Sequence, residues 1–339
     1  MNTTGLVKYA SALVALAICS ACGGGSTVAP SAATLDATYV GRTLFVNGRP
    51  VTAARLSPLP RYATILPDRH KKSKIFEYVL NYYDTDAGIF DYPKSVAQIG
   101  TINGAGGQGC TNVLYGYGKK IIWNPGRTND QIDEYKVPNK LLKTLSLNYT
   151  FTSSCAMNTS GDLAVGILLS NSYGPAGQVV IFKNAAGSGT VYNTPLDREY
   201  FDGYDPSGNL FADGLTTGSG FQLVELPKGS TKFETITTSN AVKFPGSVQW
   251  DGTYLTVFDQ DANKMYQYTV SGTQATLKGT VSFSGSSDCA QTWIAKGVVY
   301  CGDYGNDNGE VFNYPAGGSP IAVFTGNFDG PLGTVAAQK

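Results

Sequence analysis

The chain has 339 residues and carries 25 Lys+Arg against 25 Asp+Glu, so its formal charge is zero. The lack of a basic excess argues against nucleic-acid binding, and 42% hydrophobic residues exclude bulk disorder. The single histidine argues against His-based metal centres and Ser-His-Asp triads. The 41 glycines and 21 tyrosines, with only 15% charged residues, suit many short strands joined by tight turns. That is the composition of a secreted all-β protein.

The N-terminus reads as an export signal. Lys8 is the sole charge before Cys22, and an apolar run from Ala10 to Ile18 follows it. The run is too short to span a bilayer and fits a signal peptide. Ser20-Ala21-Cys22, followed by three glycines, resembles a bacterial lipoprotein signal. The resemblance implies removal of 1–21 and lipidation of Cys22, although Cys19 stands where Leu or Val is usual. Ordinary cleavage after Ala21 is the alternative. Residues 22–38 are expected to be a small-residue tether. Residues 39–72 form an extension with a hairpin at Asn47-Gly48, then a Pro-interrupted stretch. The basic run Arg69-His70-Lys71-Lys72 reads as a solvated loop.

From residue 73 onward the sequence repeats. Residues 257–268, 78–93 and 298–315 each show a strand, a turn rich in Asp or Asn, and a strand ending in an aromatic. Looser copies occur at 121–136, 164–183 and 210–226. The closing residues are Tyr92, Tyr135, Phe182, Leu226, Tyr268 and Tyr314, with gaps of 43, 47, 44, 42 and 46. A period of about 40–45 is that of four-stranded propeller blades. The spacing leaves no room for crossover helices. The expected fold is all-β: a six-bladed β-propeller over 73–339, built of four-stranded antiparallel blades. The first unit lacks a strand, and the C-terminal FDGPLGTVAA is expected to supply it, closing the ring and removing two unpaired edges.

The strand–Asp–turn–Asn–strand unit resembles the NHL and YVTN families of β-propellers, best at Asp259 with Asn263, Asp303 with Asn308, and Asp84. The whole chain looks similar to bacterial propeller lipoproteins to which no activity is assigned. The resemblance implies a fold, and a binding platform more readily than an enzyme. In the turns themselves, Asp and Asn oxygens are expected to cap backbone N–H groups.

Four cysteines lie beyond the signal, and they allow three pairings. Cys289 and Cys301 flank a predicted hairpin, while Cys110 and Cys155 occupy similar positions in adjacent units. Disulfides 289–301 and 110–155 are therefore preferred, with four buried thiols as the alternative. Asp202, Asp288 and Asp329 fall near the starts of predicted innermost strands. Three carboxylates around one axis would suit a hard cation such as Ca2+, and that ion could activate water. No other cofactor is evident. Tyr82, Tyr83, Tyr115, Tyr117, Tyr204 and Tyr304 fall near turns expected on one ligand-binding face. The glycine-rich 104–109 segment precedes no helix and reads as a connector between blades.

The reading preferred is a lipid-anchored envelope propeller that binds a protein or glycan, acts as a monomer and catalyses nothing. The alternative is a metal-dependent hydrolase or lactonase using the channel carboxylates. No membrane contact beyond the lipid and no nucleic acid are expected.

Overall fold

The computed structural model describes residues 74–339 except 84–85, 120, 126–130, 148–151, 169–176 and 219, with the backbone of three earlier strands. The signal at 1–21, Cys22 with the tether to residue 36, His70 and Asp84 lie outside the described residues.

The early strands β1 (Ala37–Val40), β2 (Thr43–Val46) and β3 (Arg49–Val51) form an antiparallel sheet. Val46 lies opposite Arg49, the register that a two-residue hairpin at Asn47-Gly48 requires. β1 begins two residues inside the segment expected to be tether.

The rest is a succession of antiparallel meanders. β4 (Ile75–Asn81), β5 (Asp86–Phe90) and β6 (Gly100–Asn103) form the first. β7 (Cys110–Thr111) and the two-residue β8 (Gly118–Lys119) precede β9 (Ile121–Pro125), β10 (Gln131–Lys136) and β11 (Lys140–Ser146). Of these, β7, β9, β10 and β11 make a four-stranded sheet. β12 (Thr152–Met157), β13 (Leu163–Ile167), β14 (Gln178–Phe182) and β15 (Thr190–Asn193) make another. Two further meanders follow. The first is β16 (Arg198–Tyr204), β17 (Leu210–Leu215), β18 (Phe221–Leu226) and β19 (Glu234–Thr238). The second is β20 (Pro245–Trp250), β21 (Leu255–Asp259), β22 (Lys264–Ser271) and β23 (Gln274–Ser282). A short parallel pairing of β19 with β23 joins them at their outer edges. The last four-stranded sheet contains β24 (Cys289–Ala295), β25 (Val298–Asp303), β26 (Asn308–Asn313) and β27 (Gly317–Phe324).

The C-terminal strand β28 (Pro331–Gln338) pairs antiparallel with β4, setting Val335 opposite Tyr78. It fills the place the first meander lacks, as expected. The first strands touch in succession, β7 to β12, β16, β20, β24, β28 and back to β7. The described residues are all-β apart from a single turn of 3-10 helix at Lys183–Ala185. No helix among them is long and apolar enough to cross a membrane.

Burial follows position in the meander. Every residue of β12, β16 and β24 is buried, whereas the outer strand β11 is exposed at six of its seven positions. The repeat motif has a local cause. Asp259, at the end of β21, accepts backbone N–H groups from Lys243 at 2.8 Å, Phe244 at 3.3 Å and Ala262 at 3.1 Å. Asp303, at the end of β25, accepts those of Ser287 at 2.8 Å, Asp288 at 2.9 Å and Asn306 at 3.1 Å. Each carboxylate ties its own turn to the connector entering the sheet. In the turns, Asn263 and Asp307 take left-handed backbone conformations, with φ of 48° and 52°. The sequence motif had pointed to Asn308 for that place.

Both preferred disulfides are present. Cys110–Cys155 links β7 to β12 across neighbouring sheets, and Cys289–Cys301 links β24 to β25 within one. They close loops with separations of 45 and 12 residues, which the chain-entropy model values at about 4 and about 3 kcal/mol.

Candidate functional site

The first strands carry polar residues where a fully buried strand is expected to be apolar. Irregular pairing explains which way they face. In β12, Thr152 lies opposite Ile167 but Cys155 opposite Val165, so Ser153 and Ser154 form a bulge. In β16, Glu199 lies opposite Gly214 but Phe201 opposite Asp213. A bulge inserts a residue and breaks the two-residue alternation of side chains. Glu199 and Asp202, three apart, therefore both reach β12. The Ser153 hydroxyl donates to Glu199 Oε2. The Ser154 hydroxyl lies 3.4 Å from Asp202 Oδ2 and accepts the Asp202 N–H at 2.8 Å.

Gly166 of β13 completes this seam. A Cβ there would sit 1.9 Å from Glu199 Oε2, so only glycine leaves room for the carboxyl. Glu199 is 0% and Asp202 5% exposed. Burial raises the Asp202 carboxyl to about 8, against hydrogen bonds with Ser154, Glu199 and the Gly166 N–H that lower it. Burial and then the neighbouring Asp202 charge hold Glu199 well above the usual carboxylate range. Glu199 Oε1 and Asp202 Oδ1 have no hydrogen-bond donor.

Asp202 also forms part of the wall of a central cavity with Ser154, Ser247, Gln249, Gln291 and Thr292. The cavity is ≈ 30 Å³. About 10–15 Å³ of such space accommodates one water, so it suits a water or two or a small ion. Much of the polar lining is engaged between sheets. Ser247 and Thr292 share a hydroxyl contact of 2.5 Å. Gln291 receives the Gly109 and Thr334 N–H groups on one atom and donates to the Gly109 carbonyl at 2.7 Å.

Residues 112–117 close one end of the channel. The segment leaves β7 and crosses to the opposite wall. Gln249 donates to the Leu114 carbonyl at 3.2 Å, the Gly116 N–H reaches the Ile294 carbonyl at 2.8 Å, and Trp293 Nε1 donates to the Gly116 carbonyl at 2.8 Å. Tyr115 covers Gly252, and the Tyr117 ring faces the Lys296 ammonium at 5.5 Å. The sequence reading missed this plug. Its signal is the length of the first connection in that unit, 112–120, against 158–162, 205–209, 251–254 and 296–297 elsewhere.

The expected carboxylate trio does not assemble. Asp202 is the fifth residue of β16, while Asp288 and Asp329 precede β24 and β28 in the connectors. Asp288 donates its N–H to Asp303, and its carboxyl is raised to about 7 by burial and by the charges of Asp303 and Asp261. Asp329 uses its backbone, receiving the Tyr83 N–H and donating to Asn81. Among the described residues, the acid and thiol group whose ligand atoms lie within 4.8 Å of one another is Cys289, Cys301 and Glu310. Its two sulfurs are joined in a disulfide.

The six tyrosines do not share a face. Tyr83 and Tyr304 lie in turns after second strands, with hydroxyls 3.0 Å apart, and Tyr82 stacks edge-on against Tyr83. Tyr115 and Tyr117 belong to the plug, and Tyr204 ends β16 at the turn after a first strand. In an antiparallel meander these two turn classes fall at opposite ends of the strands. The glycine-rich connector packs against β28, where a Cβ on Gly333 would lie 2.3 Å from the Gly107 carbonyl.

No protein-family profile matches the chain, and no curated protein matches its sequence. Solved structures do. The crystal structure of a nidogen/laminin complex aligns with a TM-score of 0.58 at 9% identity, covering 78% of this chain and 98% of that one. A protein of unknown function from Bacteroides caccae aligns at 0.56 and 12% identity, over 79% of this chain and 100% of that one. The fold is a β-propeller. The calcium-binding protein regucalcin of Agrobacterium tumefaciens aligns at 0.47 and 14% identity, over 66% of this chain and 78% of that one. In this propeller the seam carboxyls lie inside the wall between two meanders, and the rim tyrosines lie at the end away from the plug.

Proposed function

We propose that this chain is an exported, six-bladed propeller, held at the bacterial envelope by lipid on Cys22, that binds an envelope protein or glycan and catalyses no reaction. The closed cycle of first strands supports the count of six, with β28 serving as the innermost strand of the first blade. The observation that carries the binding reading is the channel. It is plugged by 112–117 and its cavity is ≈ 30 Å³, too small for a metabolite. Hydrolase action on a lactone or ester would need that space open to substrate.

Contact falls instead to the end away from the plug. Tyr83 and Tyr304 are half-buried there and pack on Gly330, giving a rigid aromatic surface suited to a sugar ring or a protein side chain. The test places a photo-crosslinking residue at Tyr304, and separately at Leu142 on the outer edge, in the full chain expressed in its native cell. The reading expects one discrete envelope adduct from position 304 and none from 142. Hydrolysis of lactones or esters by the purified protein, lost in Asp202→Asn, would overturn it in favour of the enzyme. Labelled fatty acid that is incorporated in the wild type and lost in Cys22→Ala tests the anchor separately.

A further inference from the structure

We propose that Glu199 and Asp202, with the hydroxyls of Ser153 and Ser154, form a binding site for one hard divalent cation such as Ca2+ in the seam between β12 and β16. Three observations converge on it. First, two bulges in neighbouring strands aim two carboxyls and two hydroxyls at the same place. Hard cations take oxygen ligands, and every side chain at the seam offers oxygen. Second, Glu199 Oε1 and Asp202 Oδ1 are buried and have no donor. Buried carboxylate oxygens without partners cost free energy, and a cation would answer both at once. Third, Asp202 also borders the central cavity, which leaves room for a coordinating water.

The charges around the seam point the same way. Asp202, Ser153 and Asp213 act on Glu199, while Ser154, Glu199 and the Gly166 N–H act on Asp202; the buried Arg198 of the same strand acts on Tyr200. Asp213 lies on the far side of β16 and accepts the Gly246 N–H at 3.2 Å. A proton shared between the two carboxyls is the competing occupant. It would satisfy the same oxygens without any metal, so the experiment has to separate them.

The test uses the full chain, stripped with chelator and titrated with Ca2+ at pH 8. Calorimetry and native mass spectrometry read stoichiometry, and thermal melting reads stability. The proposal expects one Ca2+ per chain and a raised melting temperature. Glu199→Gln and Asp202→Asn should each weaken binding at least tenfold while the fold is kept, since the amides are isosteric and need no proton. Unchanged melting with Ca2+ or chelator, in a protein that loses stability as pH rises, would overturn the proposal in favour of the shared proton. Equal Ca2+ stabilisation of wild type and both variants would overturn it by placing the ion elsewhere.

Discussion

Asp259 and Asp303 lie as deep in the propeller as Glu199 and Asp202, yet their surroundings differ in kind. The first two sit at strand ends, where backbone N–H groups of a turn and a connector converge on each carboxylate. The second two sit within or between bulged strands, meet hydroxyls, and each keeps one oxygen without a donor. A buried carboxylate surrounded by N–H donors is a structural tie. A buried carboxyl facing hydroxyls and another carboxyl must take up a proton or a cation. Equal burial of the same chemical group thus produces a brace in one place and, in our proposal, a cation site in another.

The harshest way to break this contrast is to delete residues 331–339. Thr334 of β28 is the hydroxyl partner of buried Glu77, and β28 also closes the ring. The truncated chain is expected to show no cooperative thermal transition by circular dichroism. Next, Asp303→Ala should lower stability by roughly 3 kcal/mol or more, because it strands several buried N–H donors. Asp303→Asn should cost less, since one oxygen still accepts. Denaturant unfolding measures both.

The seam side of the contrast is sharpened by pH. The Asp202 carboxyl is held at about 8 in the fold but ionises near 4 when unfolded. Folding in chelator therefore takes up a proton. Stability from this group is fully present below pH ~4 and is lost as pH rises to about 8, with a limiting slope of about 1.4 kcal/mol per unit. Ca2+ should flatten that slope. The smallest effect is expected from Glu199→Gln in chelator at pH 8, a change within about 1 kcal/mol, because the amide can donate to Asp202 the hydrogen bond that the protonated Glu199 makes. A larger loss of stability in that variant would mean that the carboxylate is satisfied in a way its contacts with Ser153 and Asp202 do not explain.

Much of the architecture could be read from the sequence because it is repetitive. The residues closing each motif, the turn aspartates at 259 and 303 and the C-terminal strand follow from spacing, which also makes the two observed disulfide pairings the preferred ones. The site was harder, for one physical reason. Bulges shift which residues share a face, and nothing in Arg198–Tyr204 marks where the bulge falls. By spacing alone Asp202 therefore aligns with Asp288 and Asp329 at strand starts, and its true neighbour Glu199 carries no sequence signal. The tyrosines failed similarly. Tyr115 and Tyr117 look like a rim in sequence, but the long connection carrying them folds across the channel mouth.

The most direct test is carbon-13 NMR of the aspartate carboxyls in chelator, with the Asp202 resonance assigned from Asp202→Asn. The account predicts that this resonance titrates near pH 8 without metal and moves to the ionised position at pH 7 when Ca2+ is added. An Asp202 resonance already ionised at pH 5 in chelator would contradict it.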